Sequence, residues 1–435
     1  YAYGPNSTAK GGDVYYGTTQ MNGAGVDFVK GEYSYLTALH EIGHALGLSH
    51  PFDGGSVDDS TMNLNLDRQR NTVMTYTQTD RNVKIVLNGG GNAAIGTKVH
   101  ITTPGLLDIE AIEHIYGNTG WESHTGDTIY GAGEGGTEEI FDNNYEQIRV
   151  ISDSADAGGG DTIDASAVTA DAYGRHSIID LTPGTYSSIN TYTTDADKIS
   201  AVAGGDAAKI ASFNSLLATQ DAHASAGNSY YPDFTRTALY RGQENLGIAH
   251  NTWIEHAKGG AGNDTVTVSG DGNVIGGAGA TLTNVENIVL DGTTVSIAAA
   301  TMAALTSVLG DPATSEVTLD FNGAAAALDL SAVSITGLEK IIISNGAANL
   351  TLTDAQIAEI GEFTGAANQA FTVTTTVAGL TALGSKASAG AGGTVAYAVE
   401  DTQANILAGG TVIANMGATA TLENAQTVAE AAAAI

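Results

Sequence analysis

Cysteine is absent from the 435 residues. Disulfides therefore contribute nothing to the fold, and cysteine usage says nothing direct about redox compartment. Basic residues are scarce: 16 Lys and Arg stand against 48 Asp and Glu, a formal net charge of −32. Such a chain repels phosphate backbones, which argues against nucleic acid as a partner. Proline is rare, with 6 residues, whereas glycine reaches 56. A Pro-poor, Gly-rich and Asp-rich composition suits tightly turning β-structure, and 42% hydrophobic residues argue against disorder. No apolar run reaches the roughly 18 residues of a membrane span. Tyr1-Ala2-Tyr3-Gly4-Pro5 does not read as a signal peptide. A chain this acidic, without disulfides, needs another staple if it is exported. Bound calcium is the obvious one.

What is present is most informative at His40-Glu41-Ile42-Gly43-His44-Ala45-Leu46-Gly47-Leu48-Ser49-His50. A helix over Tyr33 to Leu46 puts His40 and His44 one turn apart on one face, where two imidazoles can share a Zn²⁺ ion. Gly47 tolerates the left-handed backbone that ends a helix, so the chain can turn and return His50 as a third ligand. Three protein ligands leave one position open, the catalytic rather than the structural arrangement. Glu41 sits beside the first ligand, where a general base would act on water. Leu36, Leu39, Ile42 and Leu46 follow helical spacing and form the expected buried stripe.

Asn71-Thr72-Val73-Met74-Thr75-Tyr76 places a methionine downstream of His50. With that segment following the zinc motif, the chain resembles the metzincin metalloproteases, and within them the serralysin family of secreted bacterial proteases. The resemblance implies that Met74 floors the zinc site. It implies that Tyr76 is a switchable ligand that swings to stabilise the oxyanion. It also implies that the chain lacks part of its catalytic N-terminal half, since His40 lies close to the first residue. By the same resemblance, Ala2 and Tyr3 would belong to the edge strand beside which substrate lies.

Residues 104–117 have helical periodicity, with Leu107, Ala111, Ile112 and Ile115 as the apolar stripe and Gly117 as the stop. His114 reads as a surface residue of that helix. Beyond it the pattern changes to short apolar strands between glycine-rich turns. Residues 259–267 fit the Gly-Gly-x-Gly-x-Asp-x-apolar-x nonapeptide of calcium-binding parallel β-rolls. There, backbone carbonyls near Gly260 and Gly262 and the carboxylate of Asp264 would meet Ca²⁺, and Val266 would point into the core. The resemblance implies two further calcium sites. One would use His124, Gly126, Thr128, Asp156, Gly158 and Asp161. The other would share Gly159 and Asp161 and add Glu255 near Trp253.

Residues 170–245 read as an inserted loop or short helix. Residues 291–435 are rich in Ala, Thr, Val and Gly. In and just before them, Thr283 to Leu290 and Thr336 to Ile343 echo each other, with Glu286 and Glu339 in matching places, as in an irregular solenoid. Such tails resemble those of bacterial adhesins and surface-layer proteins.

The expected fold is thus an α+β metzincin catalytic part, N-terminally incomplete, followed by a calcium-binding parallel β-roll and a β-rich solenoid tail. The expected divisions are residues 1–117, 118–290 with the insertion, and 291–435. The expected function is a secreted, calcium-stabilised zinc endopeptidase with Zn²⁺ and Ca²⁺ as cofactors. The resemblance implies export by a one-step (type I) secretion channel. Its expected partners are protein and peptide substrates, the missing N-terminal part of its own precursor, and a bacterial surface layer. The competing expectation is a cell-surface structural or adhesion protein with an inactive or self-processing protease module.

Overall fold

The computed structural model describes residues 2, 4–6, 8, 10–16, 28–53, 65–79, 81–117, 126–131, 138–139, 146–153, 160–225, 239–254, 256–269, 273–275, 282–283, 285–291, 294–321, 326–344, 346 and 348–422. They divide into two compact units. One holds residues 1–254 and 259–264, the other 255–258 and 265–435.

In the first unit, helix α1 spans Tyr33–Ala45 and stops where Gly47 adopts φ of +99°. Strands β1 (Val83–Leu87) and β2 (Ala93–Lys98) form an antiparallel hairpin, and helix α2 spans Leu106–Tyr116. One apolar cluster joins the two helices: Leu36 of α1, Val73 and Met74, Val99 and Ile101, Leu106 and Ile109 of α2, then Ile148, Val150 and Tyr240. Residues on both sides of position 117 therefore share one core. Each fully buried side chain of this kind contributes about 1.5–3 kcal/mol.

Both helices are rotated from their expected stripes. On α1, Leu36, His40 and Gly43 are buried, and Ile42 is 46% exposed. Positions 36, 40 and 43 fall on one line at 3.6 residues per turn, and the core takes a histidine on that line. On α2, Leu106, Asp108, Ile109 and Ile112 are buried, whereas Ile115 is 51% exposed. An aspartate lies on the inner face, so apolar spacing alone misplaced the stripe. His114 is exposed, on the outer side of α2.

The segment expected as an insertion carries more order than a loop. His176–Asp180 and Tyr186–Thr191 pair antiparallel, and helices cover Asp195–Ala203 and Ala207–Ser225. Thr194 caps the first of these helices, accepting from the Asp197 amide while Asp197 accepts from the Thr194 amide. Ile199, Ala203, Phe213 and Leu217 close a second small core with Val83 and Ile85 of β1.

The second unit is built from parallel ladders. Thr265–Ser269, Asn287–Asp291, Ser307–Leu309 and Ser334–Thr336 pair in succession. A second ladder runs through Asn273–Ile275, Thr294–Ala298, Glu316–Asp320, Leu338–Ser344, Ile360–Gly365 and Ala387–Ser388. A third runs through Ala326–Asp329, Ala348–Thr351, Ala370–Thr375, Thr394–Asp401 and Thr419–Leu422. Inward side chains stack in columns, for example Val295 on Val317 on Ile341 on Phe363, all fully buried.

The repeat is shorter than the spacing of that echo. Leu338 pairs with Ile360 in the next layer, and Glu316 with Lys340. The two echoing segments run into different ladders, Asn287–Asp291 into the first and Leu338–Ser344 into the second, and do not stack on each other. Similar local sequence arises there because both are a turn followed by an inward-facing strand.

Candidate metal centre

Past Gly47 the Leu48 amide returns to the Gly43 carbonyl at 2.9 Å, which closes the helix end and swings the chain toward His50. His40, His44 and His50 then face one point. Nε2 of His50 lies 3.1 Å from Nε2 of His44 and 3.3 Å from Nε2 of His40. These ligand atoms all lie within 4.8 Å of one another, and no other such group of His, Asp or Glu occurs among the described residues.

The far side of each ring is fixed. Nδ1 of His40 meets the Val73 carbonyl at 2.8 Å, Nδ1 of His44 meets the Leu48 carbonyl at 2.8 Å, and Nδ1 of His50 meets the Asp53 carboxylate at 2.6 Å. A carbonyl or carboxylate can only accept, so each Nδ1 carries the proton and each Nε2 presents a lone pair. Three lone pairs aimed at one point repel unless a cation lies between them. Tetrahedral zinc with nitrogens at about 2.0–2.1 Å needs nitrogen pairs about 3.3 Å apart. The donor set therefore fits zinc in both spacing and protonation. Burial, more than its imidazole neighbours, holds the His40 pKa below its ordinary value and favours the neutral ring a metal needs.

Two more predicted residues meet at this point. The Tyr76 hydroxyl lies 3.0 Å from Nε2 of His50, on a side chain that is 49% exposed and so has room to move. Met74 is buried at 2% exposure beneath α1. A Cβ on Gly43 would fall 2.4 Å from its sulfur, so a side chain there would clash with the methionine.

Sequence reasoning missed the layer behind the ligands. Asp108 of α2 is 2% exposed and accepts from the Thr72 hydroxyl at 2.6 Å, the Val73 amide at 2.7 Å and the Gly105 amide at 2.7 Å. It thereby fixes the residue whose carbonyl orients His40. Burial pushes this carboxyl up, while the three donors pull it down. Asp53 was equally unforeseen, although its place three residues after His50 in a turn was a usable signal. Phe52 stacks on the His50 ring at 4.9 Å.

A cleft of about 370 Å³ opens at His40. Glu41, Leu36 and Tyr33 of α1 line one wall, and Val73, Tyr76 and Gln78 line the other. Glu41 thus shares the cleft with His40 and Tyr76. Ala2 pairs with Val14 in an isolated antiparallel bridge and is not among the cleft residues. Tyr3 lies outside the described residues, as do His124, Asp156, Gly158, Gly159 and Glu255.

Of the remaining candidate calcium ligands, Gly126, Thr128 and Asp161 come together. The Thr128 amide donates to Asp161 at 2.8 Å, and the Thr128 hydroxyl donates to the Gly126 carbonyl at 3.2 Å. Trp253 is 59% exposed. Asp264 is fully buried and binds the Ser177 amide at 2.5 Å and the Gly260 amide at 2.6 Å. Each of its oxygens clips backbone, so its structural work is evident without an ion. Gly262 packs against the Arg175 carbonyl in the same turn. Val266 is fully buried.

No family model matches the chain. Among curated proteins it is similar to Serralysin C of Dickeya chrysanthemi, 32% identical over 196 residues, which are 43% of this chain and 37% of that protein. It is 30% identical to Serralysin of Photorhabdus sp. (strain Az29) over 179 residues, 39% of this chain and 34% of the relative. It is 29% identical to Metalloprotease AprA of Pseudomonas entomophila (strain L48) over 143 residues, 32% of this chain and 28% of the relative. The chain spans about a third of the length of these relatives. A histidine triad able to hold a metal and this likeness to metalloproteases point the same way.

Proposed function

We propose that the chain carries the zinc centre of a serralysin-like endopeptidase that hydrolyses peptide bonds in extracellular proteins. The observation that carries this is the convergence of three Nε2 atoms, each with its opposite nitrogen anchored, one of them on the His40 ring that lines a cleft together with Glu41. His40, His44 and His50 would hold a zinc ion, whose Lewis acidity would bring the pKa of a water toward about 7 and polarise the scissile carbonyl. Glu41 then accepts the proton released by the attacking water and delivers it to the leaving nitrogen. The Tyr76 hydroxyl, leaving His50, donates a hydrogen bond to the developing oxyanion. Val73, Leu48 and Asp53 hold the three rings in register throughout.

The test uses the full chain with casein or a quenched peptide. Cleavage is expected with one equivalent of zinc, its loss with a zinc chelator, and its return on zinc addition. A zinc-loaded, calcium-replete chain that cuts nothing would sink the peptidase reading.

We infer further that calcium staples this protein and that it works outside the cell, where millimolar calcium serves weak sites. The supports are the gathering of Asp161, Thr128 and Gly126 and the acidic composition. Among the described residues, no helix is long and apolar enough to cross a membrane. Calcium at about 100 times its dissociation constant should stabilise the fold by about 2.7 kcal/mol, read as a raised thermal midpoint. Asp161→Asn should shrink that shift. An unchanged midpoint in calcium removes the ion from this reading.

A further inference from the structure

The cleft does not end at His40. Tyr33, His40 and Glu41 lie on one face of α1, with Tyr33 two turns ahead of His40, about 10 Å along the helix. On the opposite wall Gln78 stands two residues beyond Tyr76. The side-chain oxygen of Gln78 is already used, accepting from Lys98 Nζ at 2.5 Å and from Asn82 Nδ2 at 3.2 Å. What Gln78 can offer a ligand is therefore its amide N–H₂, a donor.

Lys98 has no carboxylate partner among the described residues, whereas Lys84 and Lys198 both reach Glu146. Lys98 does not itself line the cleft; its ammonium sits behind the wall, on the oxygen of Gln78. His100, two residues on, packs its ring 5.7 Å from that of Tyr33, so the Lys98 segment backs both residues that line this end of the cleft. His100 is 6% exposed, and its Nδ1 has no hydrogen-bond partner among the described residues. Burial and then the charge of Lys98 push its pKa down to about 4, so it adds a neutral polar group rather than a second cation. This end also lies at the N-terminus of α1, where peptide dipoles favour an anion, offset in part by Glu32.

We propose that this end of the cleft, lined by Tyr33 and Gln78 and backed by Lys98 and His100, selects substrates with a carboxylate side chain beside the scissile bond. The inference rests on the peptidase reading above and names its substrate class. The carboxylate meets the Gln78 amide, which the Lys98 ammonium behind it orients and polarises, while Leu36 and Val73 pack against its methylenes.

The test uses the full zinc-loaded chain and peptides identical except for Glu, Gln, Leu or Lys at each position flanking the scissile bond. At one of these positions Glu should exceed Gln and Leu by about tenfold in kcat/KM. The preference should shrink as salt is raised. It should fall to within about twofold in Lys98→Met and invert toward Lys in Lys98→Glu. Indifference of the wild-type chain, a preference for Leu or Lys, or a Glu preference that persists in both variants or is insensitive to salt overturns the proposal.

Binding of the same peptides to the Glu41→Gln chain, followed by fluorescence anisotropy, separates the two readings. If nothing is cut but Glu peptides bind tighter in a Lys98-dependent manner, the peptidase reading falls and the carboxylate site stands. Equal binding of all four peptides, or none, overturns the carboxylate site.

Discussion

Glu41→Gln is expected to lower kcat/KM against a quenched peptide by about 10²–10⁴-fold while the chain still takes up one zinc ion. Glutamine keeps the shape of the side chain and its place in the cleft but cannot accept a proton from water. The zinc ligands are untouched, because His40, His44 and His50 are each oriented by a carbonyl or carboxylate other than Glu41. Zinc content by mass spectrometry under native conditions therefore separates this variant from a ligand variant. Residual activity within about threefold of wild type would show that another group moves the proton, and the assignment of Glu41 would fail.

Asp108→Ala is expected to cost about 3–5 kcal/mol of folding stability and to weaken zinc binding by about 10–100-fold. The carboxylate has three donors, and its removal leaves the Thr72 hydroxyl and the Val73 and Gly105 amides buried without a partner. Val73 is also the residue whose carbonyl orients His40, so loosening it releases a metal ligand. Urea unfolding of the zinc-free chain measures the first effect, and a competition titration with a chromogenic chelator measures the second. Asp108 touches neither zinc nor substrate, so it is a positioning residue. A loss of stability without any change in zinc affinity would remove it from the metal centre and leave it as part of the core alone.

The centre was legible in proportion to how local it is. His40, His44, Gly47 and His50 lie on one short stretch of chain, and helix geometry alone brings their rings together. Met74 and Tyr76 were placed by resemblance rather than by any pattern of their own. Asp108 was invisible because it is far from Val73 in the chain, and nothing in local periodicity marks an aspartate on the inner face of a helix. Gln78 and Lys98 escaped notice for the same reason, since their contact forms only when the pairing of β1 with β2 brings Lys98 back beside the chain before β1. In the second unit, a solenoid of stacked strands was readable from two echoing turn-and-strand segments. The register was not, because the matching inward residues are plain Val, Ile and Phe and carry no label.

The columns of the second unit have a consequence for how this part of the chain can vary. Successive layers, about 20–27 residues apart in the chain, pair strand on strand with the layers above and below. The stability of this part is then close to a sum over layers and their junctions rather than the property of one indivisible core. Gain or loss of a whole layer keeps every remaining column in phase, whereas a one-residue insertion inside a strand turns its inward Val or Ile to the outside. Length in this region is therefore quantised: it changes by whole layers rather than by single residues.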